Sequence, residues 1–480
     1  MKRPWPPFAA PERPPPRNPA GFAPVSPKRP TLNTTQPSQA WTAEAAFSRV
    51  VESPLVRGGL TIMAGILTGN LLGFVRVAVT AYLLGTHSRA DSLAVAIGPV
   101  DTLNQVLINS MVFAFVPMLT ACPAAQRTAL FLKLSRSFAW VFAILSAVLM
   151  LAAPWLMRVL APGLDPQYYG AAVTNFRILS LSTLAAGAAA VQCALLYTGR
   201  RFAPMAFYQA ALNVCTVAGA LLLWKWLGVA AFAAGYLAGA WVQLVIVYLA
   251  ARRGLDTSGD RSCDIHWRDL LAKPAFFVIY AAGLGLNITF TRAYATHVGP
   301  GMAAALDYCM RGVGVPLALL VSPTSNSLLP EIARLRSLFR LKEAFRLIDR
   351  TIGLVALVAV GGCAFAILFR VPAIALLFQH GNFTGDSTRL VAAVFLGLGP
   401  SMVGWSLLEI ASRSLFALDR PWLPVIAALV PLLFNVAFTL HFGSFRPEWI
   451  GVGSSAGLLI GFAMLMAMAR MNRPRWLAEG

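Results

Sequence analysis

Four arginines stand inside otherwise apolar stretches of the chain: Arg76, Arg177, Arg292 and Arg311. An ionised side chain at a bilayer centre costs about 2.5–3.5 kcal/mol on insertion scales, so such a residue is expected to face water or a partner. The acids available to them are Asp91, Asp101, Asp307 and Glu409. Asp307 and Arg311 lie four residues apart, on one helical face, so a local ion pair is one reading. The other is that Arg76, Arg292 and Arg311 line a wet cavity and bind an anion through forked guanidinium donors. That geometry suits phosphate. Arg177 falls near the end of its stretch, where its head group is expected to snorkel out. Asp307, Glu409 and Asn435 are candidates for a site coupling Na⁺ or H⁺.

Polar residues accompany these charges: Asn70, Asn104, Gln105, Asn109 and Ser110 in the first two stretches, and Ser322, Thr324, Ser325 and Asn326 further on. They fit a cavity wall, and they fit interhelical hydrogen bonding equally well. Gly65, Gly69 and Gly73 recur every four residues, the spacing of close helix packing. No constellation for covalent chemistry is visible. The cysteines (122, 193, 215, 263, 309 and 363) are scattered singly, and the histidines are as dispersed, so neither a metal site nor an enzyme is expected.

The elements that must position these residues are membrane helices. The chain is 58% hydrophobic and 12% charged, with a mean hydropathy of +0.67, which no water-soluble surface allows. Continuously apolar stretches argue against a β-barrel, whose strands alternate. About twelve stretches are long enough to cross the hydrocarbon layer. They fall near 58–84, 92–119, 137–160, 171–197, 204–224, 228–250, 274–296, 301–329, 351–377, 390–417, 421–441 and 448–469. The expected fold is an all-α polytopic membrane protein with two six-helix bundles around a central cavity.

Residues 1–57 carry a dense proline run with Lys2, Arg3, Arg13 and Arg17, a composition that cannot bury a core and reads as a disordered basic cytoplasmic tail. Contact with anionic lipid headgroups is the sharper alternative for it. The bundles are then expected over 58–251 and 274–470, with a cytoplasmic linker at 252–273 and a second tail at 471–480. Loops at one end hold most of the basic residues, among them Arg127, Arg200, Arg201, Arg252, Arg253, Arg336, Arg340 and Arg420. The positive-inside rule puts those loops and both termini in the cytoplasm. The net charge of +20 therefore mainly reflects topology, and nucleic acid is not expected as a partner.

Landmarks repeat between the halves at an offset of roughly 215 residues, the mark of duplication. Arg76 precedes Asp91 by the interval that separates Arg292 from Asp307, and Pro117 answers Pro330. The segment from Leu195 through Arg201 and Pro204 to Asn213 is echoed from Leu415 through Arg420 and Pro424 to Asn435. With six spans in each half, the symmetry axis is expected along the membrane normal.

Several motifs resemble those of the MurJ (MviN) lipid II flippases, of the multidrug/oligosaccharidyl-lipid/polysaccharide exporter superfamily. Leu72-Gly73-Phe74-Val75-Arg76 followed by Gly85 and Asp91 looks like the family's opening motif, and Phe115-Val116-Pro117 like the end of its second helix. Arg311 with Pro316 and Leu328-Leu329-Pro330 resembles its eighth helix, and Phe378-Gln379-His380-Gly381-Asn382-Phe383-Thr384 its loop before the tenth. The resemblance covers roughly residues 58–470. It implies alternating-access export of an undecaprenyl-diphosphate-linked peptidoglycan precursor across a bacterial inner membrane, with Arg76, Asp91 and Arg311 in the substrate site. Membrane lipids and cell-wall synthesis proteins would be its surroundings. The pattern departs from the family at Asn70, Asn104, Asn109 and Gly314, where the family carries charges, and the family usually has fourteen spans. The rival expectations are a drug/cation antiporter of the same superfamily, a flippase for another polyprenyl-linked glycan, and a non-transporting membrane scaffold.

Overall fold

The computed structural model describes residues 54–199, 201–253, 267–316, 321–443 and 446–479, and every regular element among them is a helix. The first half holds α1 (Pro54–Leu84), α2 (Ser88–Ala121), α3 (Ala124–Leu160), α4 (Pro166–Thr198), α5 (Ala203–Leu227) and α6 (Ala230–Arg252). The second holds α7 (Trp267–Val298), α8 (Met302–Pro316), α9 (Ser322–Ser337), α10 (Leu341–Leu368), α11 (Arg370–Phe378), α12 (Gly385–Leu398), α13 (Ser401–Ala417), α14 (Trp422–Phe442) and α15 (Pro447–Glu479). Ten of these helices are long and apolar enough to cross a membrane, and the bent pair α12 and α13 makes an eleventh. The protein is thus a multi-pass all-α membrane protein. Of the expected tail at 1–57, residues 1–53 lie outside the described residues and 54–57 begin α1 instead; most of the linker at 252–273 also lies outside the described residues.

Three expected spans are each carried by two helices. The stretch 390–417 bends by 41° between α12 and α13. There Pro400 supplies no N–H to the ladder, and Gly399 offers none of the side-chain bulk that would oppose a bend. The stretch 351–377 parts at Phe369 into α10 and α11, and 301–329 is carried by α8 and α9 on either side of residues outside the described set. The C-terminal segment also departs from expectation. α15 continues to Glu479 as helix instead of ending in a tail at 471, because Arg473 makes two hydrogen bonds to Asp349 (2.7 and 2.6 Å) and Trp476 stacks on Phe345 at 6.0 Å.

Packing repeats between the halves. In the first, α2 lies on α4, α5 on α6, α4 on α6, α1 on α5 and α3 on α4; in the second, α8 and α9 lie on α12 and α13, α14 on α15, α12 and α13 on α15, α7 on α14, and α10 on α13. The glycine repeat of α1 serves this packing: a Cβ on Gly65 would strike the backbone of Ala206 on α5, and one on Gly69 would press on Gln209. Large apolar side chains left exposed on α3 (Trp140, Ile144, Leu151, Trp155) and α10 (Leu354, Leu357, Phe365, Leu368) form outward surfaces suited to lipid.

The halves meet where α1, α2 and α3 touch α7 and α8. At one end the junction is closed by hydrogen bonds across it. Gly163 N donates to Thr296 Oγ1 (3.0 Å), Tyr308 Oη to the Gly85 carbonyl (2.7 Å), and Asn382 N and Nδ2 to the carbonyls of Tyr82 (2.9 Å) and Leu83 (2.7 Å). Thr86 and Ser387 share a hydroxyl contact of 2.7 Å. Gly85, at φ +61°, is held so close to the Asn382 carbonyl that a Cβ would collide with it.

Candidate substrate-binding cavity

Between the halves lies a cavity of about 240 Å³. From the first half it is lined by Asn70, Phe74, Arg76, Thr80, Gly98, Asp101, Thr102 and Thr216, and from the second by Ile288, Arg292, Asp307, Tyr308, Arg311 and Gly314, among others. Its wall is thus built by α1, α2, α5 and α6 against α7 and α8, and three of the four arginines anticipated inside the membrane meet there. Arg177 does not: it is exposed on α4 and takes no part in the wall.

The three arginines are held differently. Arg292, 6% exposed, gives Nε to Asp307 Oδ1 at 2.8 Å and Nη2 to the same oxygen at 2.5 Å. Asp307 therefore pairs with Arg292 of the preceding helix, rather than with Arg311 four residues on. The guanidinium of Arg292 fills the space a side chain on Gly98 would need. Its Nη1 is buried without a partner. Arg76, 7% exposed, has no carboxylate partner among the described residues; its guanidinium lies 6.0 Å from the Tyr236 ring and its Nη1 is also buried and unpaired. Tyr236 in turn donates to Asp101 Oδ1 at 2.7 Å. Arg311 makes no ion pair among the described residues. It lies within electrostatic range of Arg76, Asp101 and Asp307 and beside Gly73, where a Cβ would sit 3.3 Å from its Nη1.

Asp91 has a different position from the one its place in the motif implies. It is 2% exposed and absent from the cavity wall. Its two oxygens accept the backbone N–H groups of Gly301 (2.6 Å) and Ala304 (2.8 Å), which lie at the start of α8. A carboxylate there satisfies two of the orphan donors of a helix N-terminus and meets the positive end of its dipole. Asp91 on α2 thereby ties one half to the other at the closed end.

The three candidate ion-coupling residues are not brought together. Asp307 is engaged by Arg292 in the cavity. Glu409 accepts Arg413 Nε at 2.6 Å and Tyr280 Oη at 3.0 Å, in a separate cluster. Asn435 is fully buried in a neutral network: its Nδ2 donates to Asn287 Oδ1 (2.8 Å) and Thr291 Oγ1 (2.7 Å), its Oδ1 accepts from Thr439 (2.9 Å), and Asn287 Nδ2 reaches Ser454 (3.0 Å). Of the polar residues noted in α2, Asn104 is bonded to Ser182 Oγ at 3.0 Å and Asn109 is exposed. Among the described residues no group of three or more His, Cys, Asp and Glu side chains could hold a metal ion.

Sequence reasoning did not find Tyr236 as the partner of Asp101, nor Gly98 as the seat of Arg292. A buried acid requires a donor, which is a usable signal. Nothing in the spacing says that the donor lies on α6.

Three arginines against two carboxylates leave the wall with an excess of positive charge, so the arrangement can hold an anionic group. Two guanidiniums without an ion-pair partner among the described residues, one from each half, face a cavity that also holds the neutralised Arg292–Asp307 pair and the Asp101 carboxylate, which accepts from Tyr236. The chain is 27% identical over 468 residues to the lipid II flippase MurJ of Burkholderia cenocepacia, covering 88% of this chain and 86% of the relative. It is 27% identical over 409 residues to the probable lipid II flippase MurJ of Rhizobium meliloti, covering 80% and 75%. Among solved structures, a lipid II flippase MurJ in an inward closed conformation shares the fold with a TM-score of 0.73 at 19% identity, over 86% of this chain and 87% of that one. An inward-facing multidrug resistance MATE family transporter shares it with a TM-score of 0.73 at 12% identity, over 88% and 99%. The model of the lipid II flippase MurJ family matches residues 80–476, and the chain belongs to that family.

Proposed function

We propose that the protein is a flippase that exports an undecaprenyl-diphosphate-linked peptidoglycan precursor, lipid II, across a bacterial inner membrane by alternating access. The observation that carries this reading is the pair Arg76 and Arg311, from opposite halves, facing one cavity with no carboxylate partner among the described residues. A diphosphate supplies the missing acceptors, and forked guanidiniums match its oxygens. Because each half contributes one arginine, rocking the halves apart at the closed end changes which side the bound phosphates face. No covalent step is needed, so the protein is read as a transporter and not an enzyme.

The distribution of basic loops supports reading both termini as cytoplasmic, and on that reading the closed end faces outward. Outward movement of an anion is favoured by an inside-negative potential by ~2.3 kcal/mol per charge per 100 mV, a driving force that needs no cofactor. Coupling to Na⁺ or H⁺ remains a proposal for Asp307, Glu409 and Asn435, and of these only Asp307 touches the cavity.

The fold likeness to a MATE transporter keeps a drug/cation antiporter as the second reading. The cavity's arginines favour an anion and stand against it.

The test is rescue of a strain depleted of its lipid II flippase. Growth restored by the wild-type chain, and lost with Arg76→Ala or Arg311→Ala at equal membrane abundance, is the expected result. Rescue undiminished by both variants overturns the reading.

A further inference from the structure

A second chamber, of about 340 Å³, opens beside the arginine cavity along the packed seam of α1 and α5, with Gln105 of α2, Tyr197 of α4 and Arg311 of α8 on its wall. Two residues, Asn70 and Arg311, belong to both walls. From Asn70 the chamber runs away from the closed end, along Gly69, Ile66 and Gly65 of α1, toward Tyr197 and Phe202 at the opposite end of the first half.

Its chemistry differs from that of the arginine cavity. Beyond Arg311 its wall holds no charged side chain; its polar side chains are the carboxamides of Asn70, Gln105, Gln209 and Asn213 and the phenols of Tyr197 and Tyr208. Tyr197 and Phe202, ring centroids 5.9 Å apart at 66°, present aromatic edges and faces. Asn213 is 1% exposed; its Nδ2 donates to the Gly69 carbonyl at 3.0 Å, and its Oδ1 is buried with no partner. Such an orphaned acceptor costs about 1–3 kcal/mol unless a ligand or water supplies a donor.

We propose that this chamber is a glycan subsite, in which Gln105, Gln209, Asn70 and Asn213 hold the uncharged sugar part of a lipid-linked saccharide whose phosphates sit at Arg311. Carboxamides offer a donor and an acceptor in one plane, which matches sugar hydroxyl and acetamido groups, themselves both donors and acceptors. The aromatic rings offer apolar surface to the C–H face of a pyranose. A prenyl or acyl chain would leave the orphaned Asn213 Oδ1 without a donor and set the other carboxamides against apolar surface, which argues against a tail site. Arg311 on the shared wall fixes the order of the parts: phosphate at the junction, sugar in the chamber. This inference rests on the reading of the arginine cavity as a diphosphate site.

The experiment measures binding of two lipids to the purified full-length protein in nanodiscs: undecaprenyl diphosphate without sugar, and the same lipid carrying a disaccharide. The variants are Gln105→Leu with Gln209→Leu, and separately Arg311→Gln. The double leucine variant is expected to bind the disaccharide lipid about tenfold more weakly while binding the bare diphosphate as the wild type does, which also reports that it is folded. Unchanged binding of the disaccharide lipid overturns the glycan subsite, as does an equal loss on both lipids, which would make the chamber a support for Arg311. The diphosphate reading fails separately, if Arg311→Gln leaves binding of both lipids intact.

Discussion

Arg292 of α7 lies in the space that a side chain on Gly98 of α2 would occupy. The guanidinium is pinned between this glycine of the other half and the carboxylate of Asp307, so one residue joins three helices at the centre of the cavity. Gly98→Ala is expected to push Arg292 off Asp307 and to destabilise the protein by on the order of 1–3 kcal/mol, the scale of overpacking a close contact. Thermal unfolding in detergent measures this. Combining Gly98→Ala with Arg292→Ala relieves the clash, so the second substitution should add less in the Gly98→Ala background than in the wild type. Additive losses would show that the two residues do not oppose each other.

Asp91 is expected to act on the conformational equilibrium and not on ligand contact. Asp91→Ala removes two charge-assisted hydrogen bonds to the start of α8, an effect of roughly 1–2 kcal/mol by analogy with helix caps. Spin labels at Thr86 and Ser387, whose hydroxyls are 2.7 Å apart, report the closed end. The variant should broaden and lengthen that distance while leaving binding of undecaprenyl diphosphate close to wild type. A short, unaltered distance would place the role of Asp91 elsewhere.

Asn435 sits at the centre of a network spanning α7, α14 and α15 that carries no charge. Asn435→Leu strands Asn287, Thr291 and Thr439, and should lower stability by on the order of 1–3 kcal/mol, read by thermal unfolding. Asn435→Asp keeps the shape and should cost at least as much at neutral pH, since a buried charge is added with no cation among these partners. A more stable aspartate variant would point instead to a cation in this network.

Removal of residues 1–50 separates a transporter from a scaffold that works through its N-terminal segment. The truncated chain is expected to rescue a flippase-depleted strain as the full chain does. Failure at normal membrane abundance would favour the scaffold.

Most of the helices were legible in the sequence, because a span needs about twenty apolar residues and the requirement is local. The breaks were less so. Pro400 marks one, but the parting at Phe369 has no proline or glycine at that position. In the site, the meeting of Arg76, Arg292 and Arg311 was legible from the cost of burying charge. Their partners were not: Asp307 could reach Arg311 by spacing, yet it turns to Arg292, which geometry between two helices decides. Asp91 is the clearest case. Its ligands are backbone N–H groups more than two hundred residues away, and no side-chain pattern encodes a backbone donor.

The central claim is that Arg76 and Arg311 hold the phosphates of the transported lipid. Its most direct test is flipping of a fluorescent undecaprenyl-diphosphate-linked disaccharide in proteoliposomes, comparing wild type with the Arg76→Gln and Arg311→Gln variants at equal protein content. The account predicts flipping by the wild type and at least a tenfold slower rate in each variant, the order expected for a lost charge-assisted contact of about 1.4 kcal/mol or more. Flipping at the wild-type rate in both variants would contradict it.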